Sequence, residues 1–282
     1  MFILAELDLK ALQQKSLEIL IMFDGFCKEH NLQYFLCGGA CIGTIRNRGF
    51  IPWDDDIDVF MHRNDYEKLK NIWQNNEKYY LSRTNKNTFY RTMITAICDQ
   101  DTTFIKERQK DLDIEHGVRL EIIPLDNCPI NKLSRKLQIL WALIFQVYNN
   151  QEPPTSKGKL LEFIGKVMLW LFPTWKMRYR ISKFAEKQMT KYNKKQSPFI
   201  TELCSRYQYM VNEYPKEIFE MPVYKEFEGF LAPLPQGYDA YLKMAFGDYM
   251  QLPPESEQVP KHDAVFIDLE NSYKNYKGKY YL

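Results

Sequence analysis

Between Gly38 and Asp58 the chain gathers two kinds of chemistry in one short run. Gly38-Gly39 let backbone approach a ligand closely, and the residues after them, through Gly43, can open a helix whose free N–H groups face an anion. Arg46 and Arg48 add positive charge nearby. After the Pro52 break comes Asp54-Asp55-Asp56-Ile57-Asp58, in which a period of two puts Asp56 and Asp58 on one face and Ile57 and Val59 on the other. Two carboxylates projecting together from a strand edge suit a hard cation, Mg²⁺ or Mn²⁺, beside a phosphate. An anion cradle joined to a metal clamp is equipment for phosphoryl transfer. A run of acids is more often a solvated turn. Here Trp53 and Ile57 imply a packed setting, where crowded carboxylates repel strongly unless a cation neutralises them. An EF-hand is excluded, because its alternating oxygen ligands, central Gly and terminal Glu are missing.

The elements that must position these groups follow from patterning. Leu9, Leu12, Ile19, Leu20, Phe23 and Cys27 recur at helical spacing, which predicts an amphipathic helix from Asp8, its cap, to about Glu29. Tyr34 to Cys37 is short and aromatic enough to be a buried strand leading into the glycines. Asn64 and Glu67, three apart, form a capping-box pattern for a helix reaching about Gln74. Phe89 to Asp99 and Val118 to Pro124 read as strands. In the second, Arg119 and Glu121 share one face, where Glu121 is either a site residue or an exposed strand Glu paired with Arg119. Asp126, just beyond, reads as a turn residue, with substrate contact as the alternative.

Taken together, Gly43 to Asp58, with Arg46, Gly49-Phe50-Ile51-Pro52-Trp53 and the acidic run, resembles the signature of the LicD-type phosphocholine transferases, to which the fukutin-related ribitol-phosphate transferases are similar. The resemblance covers Leu9 to Leu69, Leu120 to Asp126 and about Phe227 to His262, and fades in the middle third. It implies an α/β (α+β) fold, a nucleotidyltransferase-like mixed sheet flanked by helices. It also implies transfer of a phospho-alcohol, most simply phosphocholine, from a CDP-activated donor to a glycan such as teichoic acid, lipopolysaccharide or a capsule precursor, with release of CMP. Asp56, Asp58 and Glu121 would then hold one or two Mg²⁺ or Mn²⁺ ions. Gly38, Gly39, Gly43 and Arg46 would position the donor diphosphate, with Arg48, Trp53, Asp55 and Asp126 as further substrate contacts. Two departures stand out. The family places Asp where Glu121 stands, and Gly-Thr where this chain has Gly39-Ala40, so Thr44 becomes the candidate hydroxyl donor. Phe227-Glu228-Gly229, Pro235 to Leu242 and Phe246 to Pro254 resemble the family's closing motif and imply a segment folding back over the site. His262 enters on the same resemblance, to bind phosphate or shuttle a proton.

Composition sets outer bounds. A chain of 282 residues can bury a large core, and net charge +2 names no partner by itself. Six scattered cysteines lack zinc spacing, and the first residues lack the pattern of a secretory signal, so a reduced, cytoplasmic protein is expected. Charge is nonetheless segregated. Residues 131–195 hold fourteen Lys and Arg against three Glu, a surplus of 11. Within them lie two apolar runs, Leu137 to Tyr148 and Leu160 to Phe172, each too short to span a bilayer. The block reads either as core helices of a helical insert or as an interfacial surface, with Trp141, Trp170 and Trp175 among basic residues, suited to the inner face of an anionic membrane. No nucleic-acid motif accompanies the charge. The expected layout is therefore a catalytic core at 1–130, a basic insert at 131–195 and a closing segment at 196–282. Competing activities are nucleotide transfer to a sugar or antibiotic, sugar transfer with Asp56-x-Asp58 on a sugar nucleotide, and a non-catalytic, membrane-associated glycan-binding module keeping its acids for Ca²⁺.

Overall fold

The computed structural model describes residues 9–153, 159–260 and 263–282. The helical periodicity at the start gives α1 (Leu9–Glu29), which buries Leu12, Ile19, Leu20, Phe23 and Cys27. Each such side chain, fully buried, contributes about 1.5–3 kcal/mol. The expected cap, Asp8, lies outside the described residues. Strand β1 is only Phe35–Leu36, because Gly38 turns to φ +53 and opens α2 (Gly38–Asn47) at once. Then come β2 (Ile57–His62) and α3 (Arg63–Ile72). The capping box predicted at Asn64 does not form. Strand β2 runs straight into the helix with His62 at the cap and no side-chain bond there, and Glu67 pairs with Arg63 instead.

Next come β3 (Tyr79–Ser82), β4 (Thr95–Asp99), β5 (Thr103–Lys106) and β6 (Arg119–Asn127). The strand predicted from Phe89 begins only at Thr95. The Asn85 carboxamide accepts from the amides of Asn87 and Thr88 in a side-chain-closed turn, and Arg91 takes a left-handed φ of 48°, so this stretch cannot extend. Strand β6 outruns its expected end at Pro124. Asp126 is therefore not a turn residue: it is buried in β6, opposite Thr201, and accepts from the Asn193 carboxamide at 2.6 Å. There it is a structural acceptor.

The remainder is α4 (Lys132–Asn150), α5 (Lys159–Leu171), α6 (Trp175–Thr190), β7 (Phe199–Thr201), α7 (Tyr207–Met210), β8 (Tyr214–Pro215), β9 (Pro222–Phe227), β10 (Phe230–Pro235), α8 (Tyr238–Phe246) and β11 (Ala264–Asp268). The fold is mixed α/β, with a mixed sheet ordered β1-β2-β6-β4-β3 and flanked by helices. The chain forms two compact units. The first is made of residues up to 82, 96–123 and 217–282, the second of 83–95 and 124–216. The second unit contains α4, α5 and α6, with β7 and β8 pairing beside the end of β6. Its interior is organised on buried Arg135, which bonds Glu213, Gln138, Thr201 and the Met210 carbonyl at 2.7–3.1 Å. All six cysteines are buried free thiols.

Two glycines show how tightly the first unit is built around α2. A side chain on Gly43 would strike the Gly49 carbonyl and the Ile51 amide, so this glycine lets the loop after α2 lie flat on the helix. Gly25, exposed in mid-α1, has open space instead. Gly43→Ala should therefore cost about 1–3 kcal/mol, whereas Gly25→Ala should gain about 0.5–1 kcal/mol. Urea denaturation of the two variants checks both signs.

Candidate functional site

The site lies in the first unit, where the N-terminus of α2 meets the acidic loop before β2. Cys37 gives α2 no side-chain cap, so the helix starts with N–H groups open to an acceptor. The Gly38 N–H donates to the Tyr241 hydroxyl of α8 at 3.1 Å, and a side chain on Gly39 would collide with the Asp54 carboxylate. Gly39 thus lets the Asp54 carboxylate approach the backbone of α2 closely. Gln13 of α1 fixes the acidic loop from below, its Nε2 donating to the Asp54 carbonyl at 2.8 Å. The Cys37 N–H donates to the Asp58 carbonyl, locking the end of β1 to the head of β2.

Carboxylate oxygens of Asp54, Asp55 and Asp56 come within 4.8 Å of one another. Burial and Asp55 push Asp54 up to about 6, against the Asp55 amide and the Arg46 guanidinium. Asp58 is driven well above the ordinary range by burial, then by Asp56 and Glu121, and its Oδ1 is buried with no hydrogen-bond partner. Asp56 is raised to about 7 by the surrounding protein, then by Asp54 and Glu121; its exposed edge lets water relieve part of that rise. An unpartnered buried carboxylate oxygen among three other acids fits a divalent cation. Glu121 goes the other way. Burial alone would raise it, but the Lys106 ammonium at 2.9 Å, with Arg119 and Arg108, holds it down at about 2. The alternative for Glu121, an exposed strand residue paired with Arg119, does not form: Arg119 is buried and bonds Gln109, and Lys106 of β5 takes Glu121.

The remaining candidates divide. Arg46 sits beside Asp54, with its Nη1 on the Tyr249 carbonyl and its Nε buried without a partner. Arg48 is exposed in a left-handed C-cap. Trp53 is half-buried in the turn before the acids. Thr44 is no hydroxyl donor to a ligand: it is buried, and its Oγ1 donates to the Ala40 carbonyl inside the helix at 2.6 Å. Gly43 serves packing, as above: the space a side chain would take there is filled by the Gly49 carbonyl and the Ile51 amide. His262 lies outside the described residues.

The closing segment holds both ends of α2. At the start is Tyr241. At the far end the Glu228 carboxylate accepts from the Phe50 N–H at 3.0 Å, and its own N–H donates to the Arg48 carbonyl at 2.9 Å. Glu228 and Gly229 have φ of 51° and 76°, the two-residue turn joining β9 to β10. Lys106, Gln13 and the Glu228 clamp carried no spacing signal in the sequence. Packing of α1, the strands and the hairpin brings them in.

A helix N-terminus and clustered acids beside a mixed sheet make this the candidate site of an α/β fold of nucleotidyltransferase-like type. Residues 31–116 match the family model described as LicD/FKTN/FKRP, nucleotidyltransferase domain. The chain is 34% identical over 267 residues to "Lipopolysaccharide cholinephosphotransferase LicD" of Haemophilus influenzae (strain ATCC 51907 / DSM 11121 / KW20 / Rd), covering 91% of this chain and 97% of the relative. The protein belongs to the LicD family of transferases.

The raised carboxyls give a pH signature. Asp54 rises from 3.8 to about 6 and Asp56 to about 7, so the native state holds protons that the unfolded chain has released. These groups lose stability as pH climbs from about 4.5 to 7, partly offset by His116, whose drop from 6.5 to about 4 on burial adds stability over the same range. Glu121 is depressed and loses stability only below its ordinary 4.5, outside that window. Thermal unfolding in EDTA should show Tm dropping by several degrees across that range, with a flatter slope in Mg²⁺ and in Asp58→Asn.

Proposed function

We propose that the protein transfers phosphocholine from CDP-choline to a hydroxyl of a surface glycan, with lipopolysaccharide as the first acceptor to test, and releases CMP. The relative's name supplies the group transferred and the acceptor. The observation that carries the chemistry is the buried, unpartnered Asp58 Oδ1 among Asp54, Asp56 and Glu121 at the head of α2. Asp56, Asp58 and Glu121 would hold Mg²⁺ or Mn²⁺, which when bound supplies charge neutralisation for the donor phosphates.

The chain's own residues do the rest. The uncapped first turn of α2 and the Arg46 guanidinium bind the diphosphate and orient it, with Gly39 leaving room beside them for the Asp54 carboxylate. The acceptor oxygen attacks the choline-bearing phosphorus in line, the bond from that phosphorus to the CMP oxygen breaks, and the acceptor proton passes to solvent or a neighbouring base. Lys106 keeps Glu121 ionised and aimed into the cluster.

Asp58→Asn should lower kcat by three orders of magnitude or so, as loss of a charge-stabilising group does, while the fold stays intact. Glu121→Gln should be severe and Glu121→Asp milder. Mild and equal effects at Glu121 would make it a strand residue only. The reading itself is tested by incubating the enzyme with CDP-choline, CDP-ethanolamine, CDP-ribitol and CDP-glycerol plus Mg²⁺ and lipopolysaccharide. CMP release greatest with CDP-choline supports it; pyrophosphate release from a nucleoside triphosphate would replace it with nucleotidyl transfer.

A further inference from the structure

The second unit leaves apolar side chains in water where core helices would bury them. On α4, Leu133, Leu137 and Leu140 follow one another at helical spacing along the outer face, Leu133 68% exposed. On α5, Phe163 is 64% and Trp170 78% exposed, and the helix is secured at its end: the Arg178 guanidinium holds the Leu169 and Phe172 carbonyls. Helix α6 packs on α4 and sets Phe184, 52% exposed, edge-on to Trp141 at 5.3 Å. The reading of this block as ordinary core helices does not describe these faces.

Charge accompanies them. Arg135 and Arg178 are spent on internal bonds, but Lys132, Lys136, Lys176, Arg180 and Lys187 are exposed on the same helices. We infer that the exposed faces of α4, α5 and α6 are a surface for peripheral docking on an anionic lipid bilayer. Charge complementarity selects that occupant. A second copy of the chain would bring the same basic surplus against itself, which repels, whereas anionic headgroups attract it and the interface beneath takes the aromatic and leucine side chains. Helix α5, with 13 residues, is about 20 Å long, shorter than the roughly 30 Å hydrocarbon core. No helix among the described residues is long and apolar enough to cross a membrane. The surface therefore lies on the bilayer and does not span it.

The inference does not depend on the transfer chemistry, because binding is read without donor or acceptor. The full chain is sedimented with vesicles of phosphatidylcholine alone or containing phosphatidylglycerol, at low and high salt. Recovery with phosphatidylglycerol vesicles at low salt, falling with salt, is expected, together with a blue shift of tryptophan emission. Neutralising Lys176, Arg180 and Lys187 to Gln should weaken binding by about fivefold for each charge, on the order of a hundredfold in all. Trp170→Ser with Phe163→Ser should remove the salt-resistant remainder and the blue shift. All five substitutions are at exposed positions, and an unchanged Tm shows that the fold is kept. Equal recovery with both vesicle types at low salt overturns the inference. So does a wild-type dimer, seen by light scattering, that the Trp170 and Phe163 substitutions dissociate.

Discussion

Mutual repulsion of carboxylates is the constraint on which the rest of the first unit depends. Asp54, Asp56, Asp58 and Glu121 raise or oppose one another's ionisation at the head of β2, and bare polypeptide would push them apart. They stay together because their backbones are held from several sides. Gln13 grips the acidic loop, the Cys37 amide grips Asp58, and β6 delivers Glu121 from within the sheet. Part of the negative charge is offset inside the protein, by Lys106 on Glu121 and Arg46 beside Asp54. What is left over is a concentrated negative potential suited to a cation, next to helix N–H groups suited to an anion. A cation bound among these carboxylates would offset that repulsion and stabilise the fold.

Much of this was legible in the residue pattern. The spacing of Leu12 to Cys27, the glycines that open α2 and the alternation through Asp58 are local signals, and local signals survive folding when one face is buried. Asp126 was misjudged for the complementary reason. Its neighbours suggested an end to the strand, but pairing with Thr201 carried β6 past Pro124. The stretch from Phe89 had strand composition, yet an Asn-closed turn and a left-handed Arg91 override propensity. Thr44 looked like a spare hydroxyl, and its own helix consumed it.

Lys106 was out of reach of sequence reasoning altogether. It lies on a four-residue strand, fifteen positions before Glu121, and no period relates them. Glu228 is a similar case. Its place in the hairpin turn follows from strands that form only once β9 and β10 pair, and its backbone accepts a left-handed geometry more natural to Asn or Gly. The side chain explains the choice, since an acceptor oxygen of that reach holds the Phe50 amide while the backbone holds Arg48. Long-range partners of this kind separate a signature from a site.

The six buried thiols have a use unrelated to transfer chemistry. Burial raises Cys27, Cys41, Cys98 and Cys128 out of the range where a thiolate forms readily, so a disulfide-exchange reagent has little to attack while the chain is closed. Cys27, Cys37, Cys41 and Cys98 belong to the first unit and Cys128 and Cys204 to the second. Labelling rates at the two sets therefore read the opening of each unit separately, giving the native chain a built-in clock for its own local unfolding.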